Sequence, residues 1–347
     1  MKILSLFSGA GGLDLGFSQA GFEITWANEY DSSVYKTYRL NHPNTVLREG
    51  SIVDVRESEI PDADGIIGGP PCQPWSLAGA MKGFKDPRGE VIKEYLRFLK
   101  IVKPKFFVFE NVAGLVSKAH KDSYLILIEH FKKTLGYNVF AKLVNAHDYG
   151  VPQDRRRVIV IGFRDDIAKK FEFPNPLSQK LCLRDAIWDL RDIQAMPARG
   201  GNKANTGLPV ANHEYYVGSF STIFMSRNRI RKWEEPSFTI QASGRHAPLH
   251  PSCPQMKKVG TDCWAFTDDE GKYRRLTVRE AARIQTFPDS FVFHYESVDH
   301  GYKMVGNAVP VKLAFILARS IRQHLAGESN SDQKRDEYPL LALMQRG

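Results

Sequence analysis

The sequence predicts an α/β protein with a mostly parallel sheet, helices on both faces, and a smaller loop-rich domain. Short apolar runs alternate with helical patterns in the first half, which is typical of parallel strands joined by crossover helices. From about residue 195 to 272 the chain is rich in Gly, Pro, Asn and Ser, and its periodicity is weak. A length of 347 residues suits one large and one smaller domain, since domains cluster near ~100–150 residues.

Composition and charge narrow the class of protein. Hydrophobic residues make up 42% and charged residues 25%, which excludes a disordered or fibrous chain. No apolar run approaches the ~18 residues of a membrane span, and the N-terminus lacks a signal peptide, so we expect a cytoplasmic protein. Four Cys without a CxxC pair argue against a disulfide scaffold or a zinc site. The net charge of +9, more than half of it in 219–259, favours a polyanionic partner.

Six apolar runs in the first half are predicted to be strands of the sheet. Helical spacing is clearest at 91–102 and 123–135 between them, and it returns at 277–285 and 311–325. The predicted strands are ILSLF (3–7), FEITWAN (22–28), ADGIIGG (63–69), FFVFENV (106–112), NVFAKLV (138–144) and VIVIGF (158–163).

A turn-rich break, PNPLSQ, separates the alternating half of the chain from the loop-rich segment. The sequence from Gly327 onward is polar with mixed charge, which is typical of a mobile tail. We therefore predict a first domain at 1–180, a second domain at 181–290, a return to the first domain at 291–326, and a tail at 327–347.

Three glycines follow the first predicted strand, where the chain turns into a helix. Gly9, Gly11 and Gly12 let the backbone approach a ligand closely, and the helix start offers free N–H groups. Glu29 ends the second predicted strand, where a carboxylate can accept hydrogen bonds from ribose hydroxyls. This pattern indicates a nucleoside-bearing cofactor, either a dinucleotide or S-adenosylmethionine. The alternative is a tight turn beside a solvated glutamate.

Two motifs end neighbouring predicted strands. GGPPCQPWS (68–76) places Cys72 on a proline-rigid loop at the carboxyl end of a strand, where open α/β sheets carry their chemistry. ENV (110–112) ends the next strand, so Glu110 is expected at the same edge of the sheet. The alternatives are a small buried cysteine and a solvated glutamate.

A third motif, QDRRR (153–157), precedes the last predicted strand. Strand alternation predicts that Arg155 and Arg157 point to one side and Arg156 to the other. The alternative is a charged, solvated start of a strand.

Together these motifs resemble those of the DNA cytosine-5 methyltransferases, over nearly the whole chain and in the same order. The resemblance implies a Rossmann-like fold, S-adenosylmethionine as cofactor and double-stranded DNA as substrate. A second segment, FSTIFMSRNRIRKW…FTIQASGR (220–245), is similar to the recognition region of bacterial restriction-modification members that modify GGCC. The matching motifs are FSGAGGLDLGF (7–17), NEYD (28–31), GGPPCQPWS, ENV, QDRRR, RRLTVREAARIQTFP (274–288) and GNAVP (306–310).

The resemblance implies a covalent mechanism at carbon 5 of a flipped-out cytosine. Carbon 5 is a poor nucleophile, but addition of the Cys72 thiolate to carbon 6 turns the ring into an enamine. Glu110 would supply a proton or hydrogen bond to ring nitrogen 3, and Arg155 would hold the carbonyl oxygen at ring position 2. Gln153 and Arg157 would brace the site.

A cofactor site is implied as well. Tyr30 would offer an aromatic face to adenine. The family usually has an aspartate at the position of Ser51, whose hydroxyl can accept the hydrogen bond of the adenine amino group without charge. The implied contacts are Phe7, Gly9, Ala10, Gly12, Glu29, Tyr30, Ser51, Ile52, Pro70, Val91 and Asn307.

A base stacked in a duplex cannot reach a cysteine in a cleft, so the target must be flipped out. Residues 73–95 fit a mobile loop that closes over the flipped base, with Ser76 and Arg88 as contacts; the alternative is an ordinary surface loop. The basic 219–259 region would enter the major groove, where arginine pairs bidentately with guanine. For each arginine the alternative is a phosphate contact. The predicted readers are Arg227, Arg229 and Arg245, with Thr239 and Gln241 in second rank.

Three other functions explain part of the sequence. A nucleotide-dependent oxidoreductase would use the glycine turn but leaves the cysteine loop, ENV and QDRRR unexplained. A DNA-binding module without catalysis would not need Cys72 and Glu110, and a tRNA-modifying relative would not need the long arginine-rich region. We therefore expect a monomeric DNA methyltransferase without a metal, paired with a restriction endonuclease that acts on the same site without a stable complex. The helix at 277–285 is interpreted as an organising element.

Overall fold

The computed structural model describes residues 1–71 and 90–328, which form two compact units. The predicted contacts Cys72, Ser76 and Arg88, and the predicted tail beyond residue 328, lie outside the described residues. Within the described part, the first unit comprises 1–71, 90–145, 156–176 and 314–328, and the second comprises 146–155 and 177–313. The predicted domain boundaries stay predictions, because compact units of a folded chain do not define independently folding domains.

A seven-stranded sheet forms the centre of the first unit. Its strands are β1 (Lys2–Leu6), β2 (Glu23–Glu29), β3 (Val46–Glu49), β4 (Gly65–Gly68), β5 (Phe106–Val112), β6 (Tyr137–Asn145) and β7 (Arg156–Arg164). The spatial order is β3-β2-β1-β4-β5-β7-β6, and β7 is antiparallel to both neighbours while the other pairs are parallel. The predicted mostly parallel sheet is confirmed. Strand β3 was not predicted, because none of its four residues is buried and it has no apolar signature.

Helices flank this sheet and bury its apolar side chains. Strand β5 is buried at its first six positions, which explains its continuous apolar run. Tyr95 packs edge-on against Phe109 at 5.3 Å and donates its hydroxyl to the Val108 carbonyl at 2.9 Å. The helices of the first unit are α1 (Gly12–Gln19), α2 (Ser32–Asn41), α3 (Glu90–Val102), α4 (Lys121–Glu129) and most of α8 (Val311–Leu325), whereas α5 (Leu183–Ile187), α6 (Val278–Ile284) and α7 (Val298–Asn307) belong to the second.

The second unit consists mainly of loops around α5, α6 and α7. Its described strands are short: β8 (Met196–Pro197) pairs with β9 (Glu214–Tyr215), and β10 (Lys257–Gly260) pairs with β11 (Cys263–Ala265). A separate apolar cluster holds the loops together, and it contains Phe224, Ile230, Leu249, Cys253, Met256 and Tyr273. The second unit is therefore rich in loops, as the sequence predicts.

One apolar stretch, Val298–Leu325, has the length and composition of a membrane-spanning helix. However, 72% of its most apolar 18 residues are buried inside the protein, as in the core helix of a soluble protein. We therefore assign this stretch to the core.

Candidate functional site

The glycine turn after β1 adopts a backbone that other residues rarely tolerate. Gly9 and Gly11 have φ angles of 53° and 85°, and Phe7 has a φ of 56° although it carries a side chain. A Cβ atom added at Gly9 would meet nothing within 4 Å, so the backbone there is open to a ligand. Ala10 is buried, and Gly12 begins α1.

Glu29 connects this turn to the end of β2. Its Oε2 accepts a hydrogen bond from the Gly9 N–H at 2.7 Å, and its Oε1 accepts one from the Asp31 N–H at 2.8 Å. Burial raises the pKa of the Glu29 carboxyl, although these backbone donors oppose the shift. Each carboxylate oxygen retains a further lone pair that a ribose hydroxyl can use.

An exposed aromatic ring lies beside this acid. The side chain of Tyr30 is 76% exposed, and its carbonyl accepts a hydrogen bond from the Tyr35 hydroxyl at 2.9 Å. The Tyr35 hydroxyl in turn accepts from the Gly50 N–H at 3.0 Å. An open glycine backbone, a ribose acceptor and an uncovered ring are the groups that a nucleoside-bearing cofactor requires, so the residues present fit S-adenosylmethionine.

Ser51 has a local role as well as its predicted one. Its Oγ accepts a hydrogen bond from the Val53 N–H at 3.3 Å and caps the short 3-10 turn Ile52–Asp54. A hydroxyl oxygen has two lone pairs, so the cap leaves one for the adenine amino group. Ile52 is buried at the start of the same turn. The adenine contact at Ser51 stays a prediction.

The remaining predicted cofactor residues lie in different elements. Pro70 is buried after β4, and Val91 is half-buried in α3. Both belong to the first unit. Asn307 ends α7 in the second unit, where its side chain is exposed.

The end of β5 carries the candidate acid. Glu110 Oε1 forms an ion pair with Arg157 Nε at 3.0 Å, and both side chains are nearly buried. A Cβ atom at Gly69 would lie 2.8 Å from Glu110 Oε2, so the carboxylate lies directly against the backbone of the GGPP segment. The Asn111 amide donates to the Pro70 carbonyl at 3.0 Å. The described contacts therefore join ENV to the residues that lead into Cys72.

The three arginines of QDRRR have different surroundings. Arg156 is exposed, as strand alternation predicts, whereas Arg155 is buried in the second unit. The Arg155 guanidinium donates to the carbonyls of Ile240, Gly306 and Ala308 at 3.2, 2.8 and 2.9 Å. Arg157 is the arginine that pairs with Glu110, whereas the sequence predicted only a bracing role for it. Strand alternation indicates the side of the sheet but not the partner.

Gln153 braces the second unit. Its amide nitrogen donates to Gln285 Oε1 at 3.0 Å, and its Oε1 accepts from the Ile240 N–H at 2.9 Å. Because Ile240 also contacts Arg155, both residues of the motif hold the segment that contains Thr239 and Gln241.

The predicted DNA readers differ in exposure. The side chains of Arg227, Arg245 and Gln241 are exposed. Arg229 is only 5% exposed, and it donates to the Phe224 and Ile223 carbonyls at 2.7 and 3.0 Å. Burial, together with the charge of Arg227, lowers the pKa of Arg229 to about 10. Thr239 is half-buried and donates its hydroxyl to the Asp154 carbonyl. The reading role of each residue stays a prediction.

Arg275 connects loops of the segment that is predicted to read DNA, and the sequence analysis did not single it out. It is buried, donates to the Gly218 and Ser219 carbonyls at 3.0 and 3.2 Å, and lies over the Phe220 ring at 4.3 Å. A weaker contact of 3.5 Å reaches the Arg245 carbonyl. Its place in RRLTV, directly before the helix interpreted as an organising element, was the available signal.

Helix α6 contributes a buried charge cluster next to Arg275. Glu280 is fully buried and accepts two hydrogen bonds of 2.8 Å from Arg274, while His250 lies 3.5 Å away. Burial opposes its charge, but Arg274 and His250 lower the pKa of Glu280 to about 2. Thr277 and Glu280 also form a reciprocal cap of the helix. This helix is therefore fixed internally, as an organising element requires.

Known proteins resemble this chain along nearly its entire length. The family model described as C-5 cytosine-specific DNA methylase matches residues 1–323. Type II methyltransferase M.FnuDI of Fusobacterium nucleatum is 54% identical over 330 residues, covering 94% of this chain and 95% of the relative. Type II methyltransferase M.MthTI of Methanothermobacter thermautotrophicus is 53% identical over 332 residues, covering 95% and 99%.

Solved structures share the fold at much lower identity. A prophage-encoded chain from E. coli superimposes with a TM-score of 0.71 at 23% identity, covering 94% of this chain and 100% of that chain. The Entamoeba histolytica methyltransferase EhMeth gives a TM-score of 0.64 at 17% identity, covering 94% and 98%.

Proposed function

The chain belongs to the C-5 cytosine-specific DNA methylase family, and we propose that it methylates a flipped-out cytosine within GGCC through a covalent adduct on Cys72. It is a DNA (cytosine-5)-methyltransferase that uses S-adenosylmethionine, and its relatives are type II methyltransferases. We propose, beyond this family activity, the GGCC specificity, the covalent adduct on Cys72 and the roles of the individual residues.

The observation that carries the proposed mechanism is the end of β5. Asn111 holds the Pro70 carbonyl, and the Glu110 carboxylate lies against Gly69. These contacts support the view that the cysteine loop and the acid act on the same base. A preorganised pair of reacting groups lowers the entropic cost of addition.

The proposed reaction begins with an attack on carbon 6 of the cytosine. The Cys72 thiolate forms a bond to carbon 6 of cytosine while Glu110 passes a proton to ring nitrogen 3, which leaves an enamine. Carbon 5 would then take the methyl group, with S-adenosylhomocysteine as the leaving group. A base removes the proton from carbon 5, ring nitrogen 3 returns its proton to Glu110, and the Cys72 thiolate leaves carbon 6 as the double bond between carbons 5 and 6 re-forms. Glu110 must therefore be protonated, at least transiently, when Cys72 adds.

Arg157 is the better candidate for the positive charge at ring position 2. It pairs with Glu110 at 3.0 Å, so it lies at the acid that the reaction uses. The Arg155 guanidinium already donates to three backbone carbonyls, and it would have to donate to the base oxygen in addition. We therefore move this role from Arg155 to Arg157 and give Arg155 the role of bracing the 240 and 306–308 segments.

When bound, S-adenosylmethionine supplies an electrophilic methyl group on a sulfonium centre. Glu29 would accept hydrogen bonds from its ribose, Tyr30 would cover its adenine, and the open backbone at Gly9 would admit it closely. Ser51, Ile52, Phe7 and Val91 complete the proposed contacts.

The GGCC assignment rests on the resemblance of segment 220–245 to recognition regions with that specificity. The exposed side chains of Arg227, Arg245 and Gln241 support it, because groove readers must reach base edges. Arg229 supports it indirectly, since its bonds to Phe224 and Ile223 hold the loop that carries Arg227. We further propose that the enzyme acts as a cytoplasmic monomer and protects sites of a separate restriction endonuclease.

Bisulfite sequencing of a plasmid from cells that express this chain tests the proposal. We expect protection of one cytosine in every GGCC on both strands and none elsewhere. A C72S variant that is expressed at the same level should give no protection. Protection in another sequence context would overturn the GGCC assignment, and protection by the C72S variant would overturn the covalent step.

A further inference from the structure

A buried polar cluster lies beneath the glycine turn of the cofactor site. Asp14 of α1 is fully buried, and its two oxygens accept hydrogen bonds from the Ser5 and Tyr38 hydroxyls, each at 2.6 Å. His42, which follows α2 and is only 6% exposed, stacks on Tyr38 with ring centroids 4.5 Å apart. Helices α1 and α2 are thereby joined under the turn.

The His42 ring fills the space that Gly11 leaves open. A Cβ atom at Gly11 would lie 2.1 Å from His42 Nε2 and less than 3 Å from two of its ring carbons. No rotation of a rigid ring relieves such a clash cheaply, because Tyr38 covers one of its faces. His42 and the bare backbone of Gly11 are therefore complementary in shape.

His42 also contacts the turn through a hydrogen bond with the Ala10 backbone. Burial lowers the pKa of the imidazole, while Asp14 opposes this shift. A neutral ring has one N–H donor, so it can satisfy the Ala10 carbonyl and leave its other nitrogen unprotonated. The ring thus fixes two consecutive residues of the turn by packing and by a directed bond.

We propose that His42 is a positioning residue for S-adenosylmethionine, which sets the conformation of Ala10 and Gly11, and that Asp14 and Tyr38 hold its ring in place. The turn is open to the ligand at Gly9 and supported by His42 on the side of Gly11. Preorganisation of this kind increases affinity by removing the cost of ordering the loop on binding. The proposal rests on the use of S-adenosylmethionine and is independent of the GGCC and Cys72 assignments.

Binding of S-adenosylmethionine and of S-adenosylhomocysteine, measured by titration calorimetry on the full chain, tests this role. His42→Ala removes packing and donor, His42→Phe restores the packing alone, and His42→Gln restores a donor. We expect His42→Ala to weaken cofactor binding by roughly tenfold or more, and the other two variants to recover part of the loss. The kcat at saturating cofactor should change much less than the KM for S-adenosylmethionine.

His324→Phe is the matched control, because His324 also packs on aromatic rings of the first unit, 4.9 Å from Phe163. It should leave cofactor affinity unchanged. Duplex DNA affinity should be unchanged in all variants. Normal cofactor affinity in a folded His42→Ala protein would overturn the proposal. It would also be overturned if His42→Ala lowered DNA affinity as much as cofactor affinity and lowered the melting temperature as well, because that would indicate a general structural role.

A double-mutant cycle between Gly11 and His42 tests the contact itself, and His42→Gln takes the place of His42→Ala in the cycle if His42→Ala folds poorly. Gly11→Ala introduces the clashing Cβ, and His42→Ala removes its target, so the two losses in cofactor affinity should be clearly less than additive. The double variant should still bind the cofactor less tightly than the wild type, because alanine is strained at the left-handed φ of Gly11. If the losses in cofactor affinity of the two single variants add up in the double variant, whether His42→Ala or His42→Gln is used, the contact between Gly11 and His42 is not the origin of the effect.

Discussion

The side-chain amide of Asn111 donates a hydrogen bond of 3.0 Å to the carbonyl oxygen of Pro70. Asn111 Oδ1 in turn accepts from the Val112 N–H at 2.9 Å, which fixes the orientation of the amide. One residue at the end of β5 therefore holds the backbone two positions before Cys72. The same strand end carries Glu110, so the proposed acid lies next to the residue that holds the GGPP segment.

Asn111→Asp should reduce the rate of methyl transfer without preventing cofactor binding. The carboxylate keeps the size of the side chain but cannot donate to Pro70 and places a charge beside a carbonyl. We expect a loss of about tenfold or more in single-turnover rate, with the affinity for S-adenosylmethionine little changed. The exposed Asp122→Asn serves as control. An unchanged rate would show that Asn111 does not position the cysteine loop.

Cys72→Ser should abolish methyl transfer while specific DNA binding remains. The hydroxyl of serine is a far weaker nucleophile than a thiolate near neutral pH. DNA that contains 5-fluorocytosine should trap the wild type in a denaturant-resistant adduct, since fluorine cannot leave as the proton does. Gel electrophoresis under denaturing conditions detects the adduct. Its absence with the wild type, or turnover by the serine variant, contradicts covalent catalysis.

Glu110→Gln should slow the chemical step by about 10²–10⁴-fold, because the amide cannot supply a proton to ring nitrogen 3. Glutamine retains the shape that Gly69 accommodates, so the fold and DNA affinity should be preserved. Arg157→Lys provides a second probe: it keeps the charge but loses the guanidinium geometry at Glu110. If single-turnover rates with Glu110→Gln equal those of wild type, the glutamate is only a structural residue of the strand end.

Much of the first unit could be predicted because its signals are local. Apolar runs predicted six of the seven strands of the sheet, and the glycines after β1 predicted the turn in which Gly9 and Gly11 adopt positive φ angles. Side-chain partners were harder to predict. Arg155 and Arg157 are equivalent by strand alternation, yet the chain leaves the first unit between Asn145 and Arg156, so they belong to different units.

In the predicted recognition region, the sequence pattern did not predict which arginines are buried. Charge predicts that Arg229 binds an anion or a base, but it carries no information on burial. The Phe224 ring, 4.6 Å from its guanidinium, and two backbone carbonyls surround Arg229 in the structure. These partners come from the loop conformation of 220–231, which has no periodicity from which it could be predicted.

His250 should make the protein less stable as the pH falls from about 6.5 to 4. Burial, aided by Arg274, lowers the pKa of His250 to about 4. A base with a lower pKa in the folded state binds protons more tightly when unfolded, so stability is complete above pH 6.5 and is lost as the pH falls. The loss reaches about 3 kcal/mol if the shift is fully expressed.

Urea denaturation at several pH values measures this dependence. His250→Gln should flatten the fall in the free energy of unfolding between pH 6.5 and 4, whereas exposed His300→Gln should not. An unchanged pH slope in the His250 variant would mean that other groups cause the acid sensitivity.

Alanine substitution of the recognition arginines should separate base reading from loop support. Arg227 and Arg245 are exposed, and each is expected to lose about 1–3 kcal/mol of discrimination for GGCC at one identifiable base pair. Arg229→Ala should instead reduce stability and weaken all DNA sequences together, because it removes the donors to the Phe224 and Ile223 carbonyls. Lys232 is exposed and serves as the control for a phosphate contact or a solvated charge.

The measurement is duplex binding to GGCC and its single-base variants at several salt concentrations, with the melting temperature of each protein. A reader changes the ratio of cognate to variant affinity, while a phosphate contact lowers both and reduces the salt slope by about one unit. If the Arg227 and Arg245 variants lose affinity equally for GGCC and its single-base variants, the residues that read the bases lie elsewhere in 195–272. A base-specific loss for Arg229→Ala at normal melting temperature would show that its guanidinium leaves the two carbonyls and contacts a base when DNA is bound.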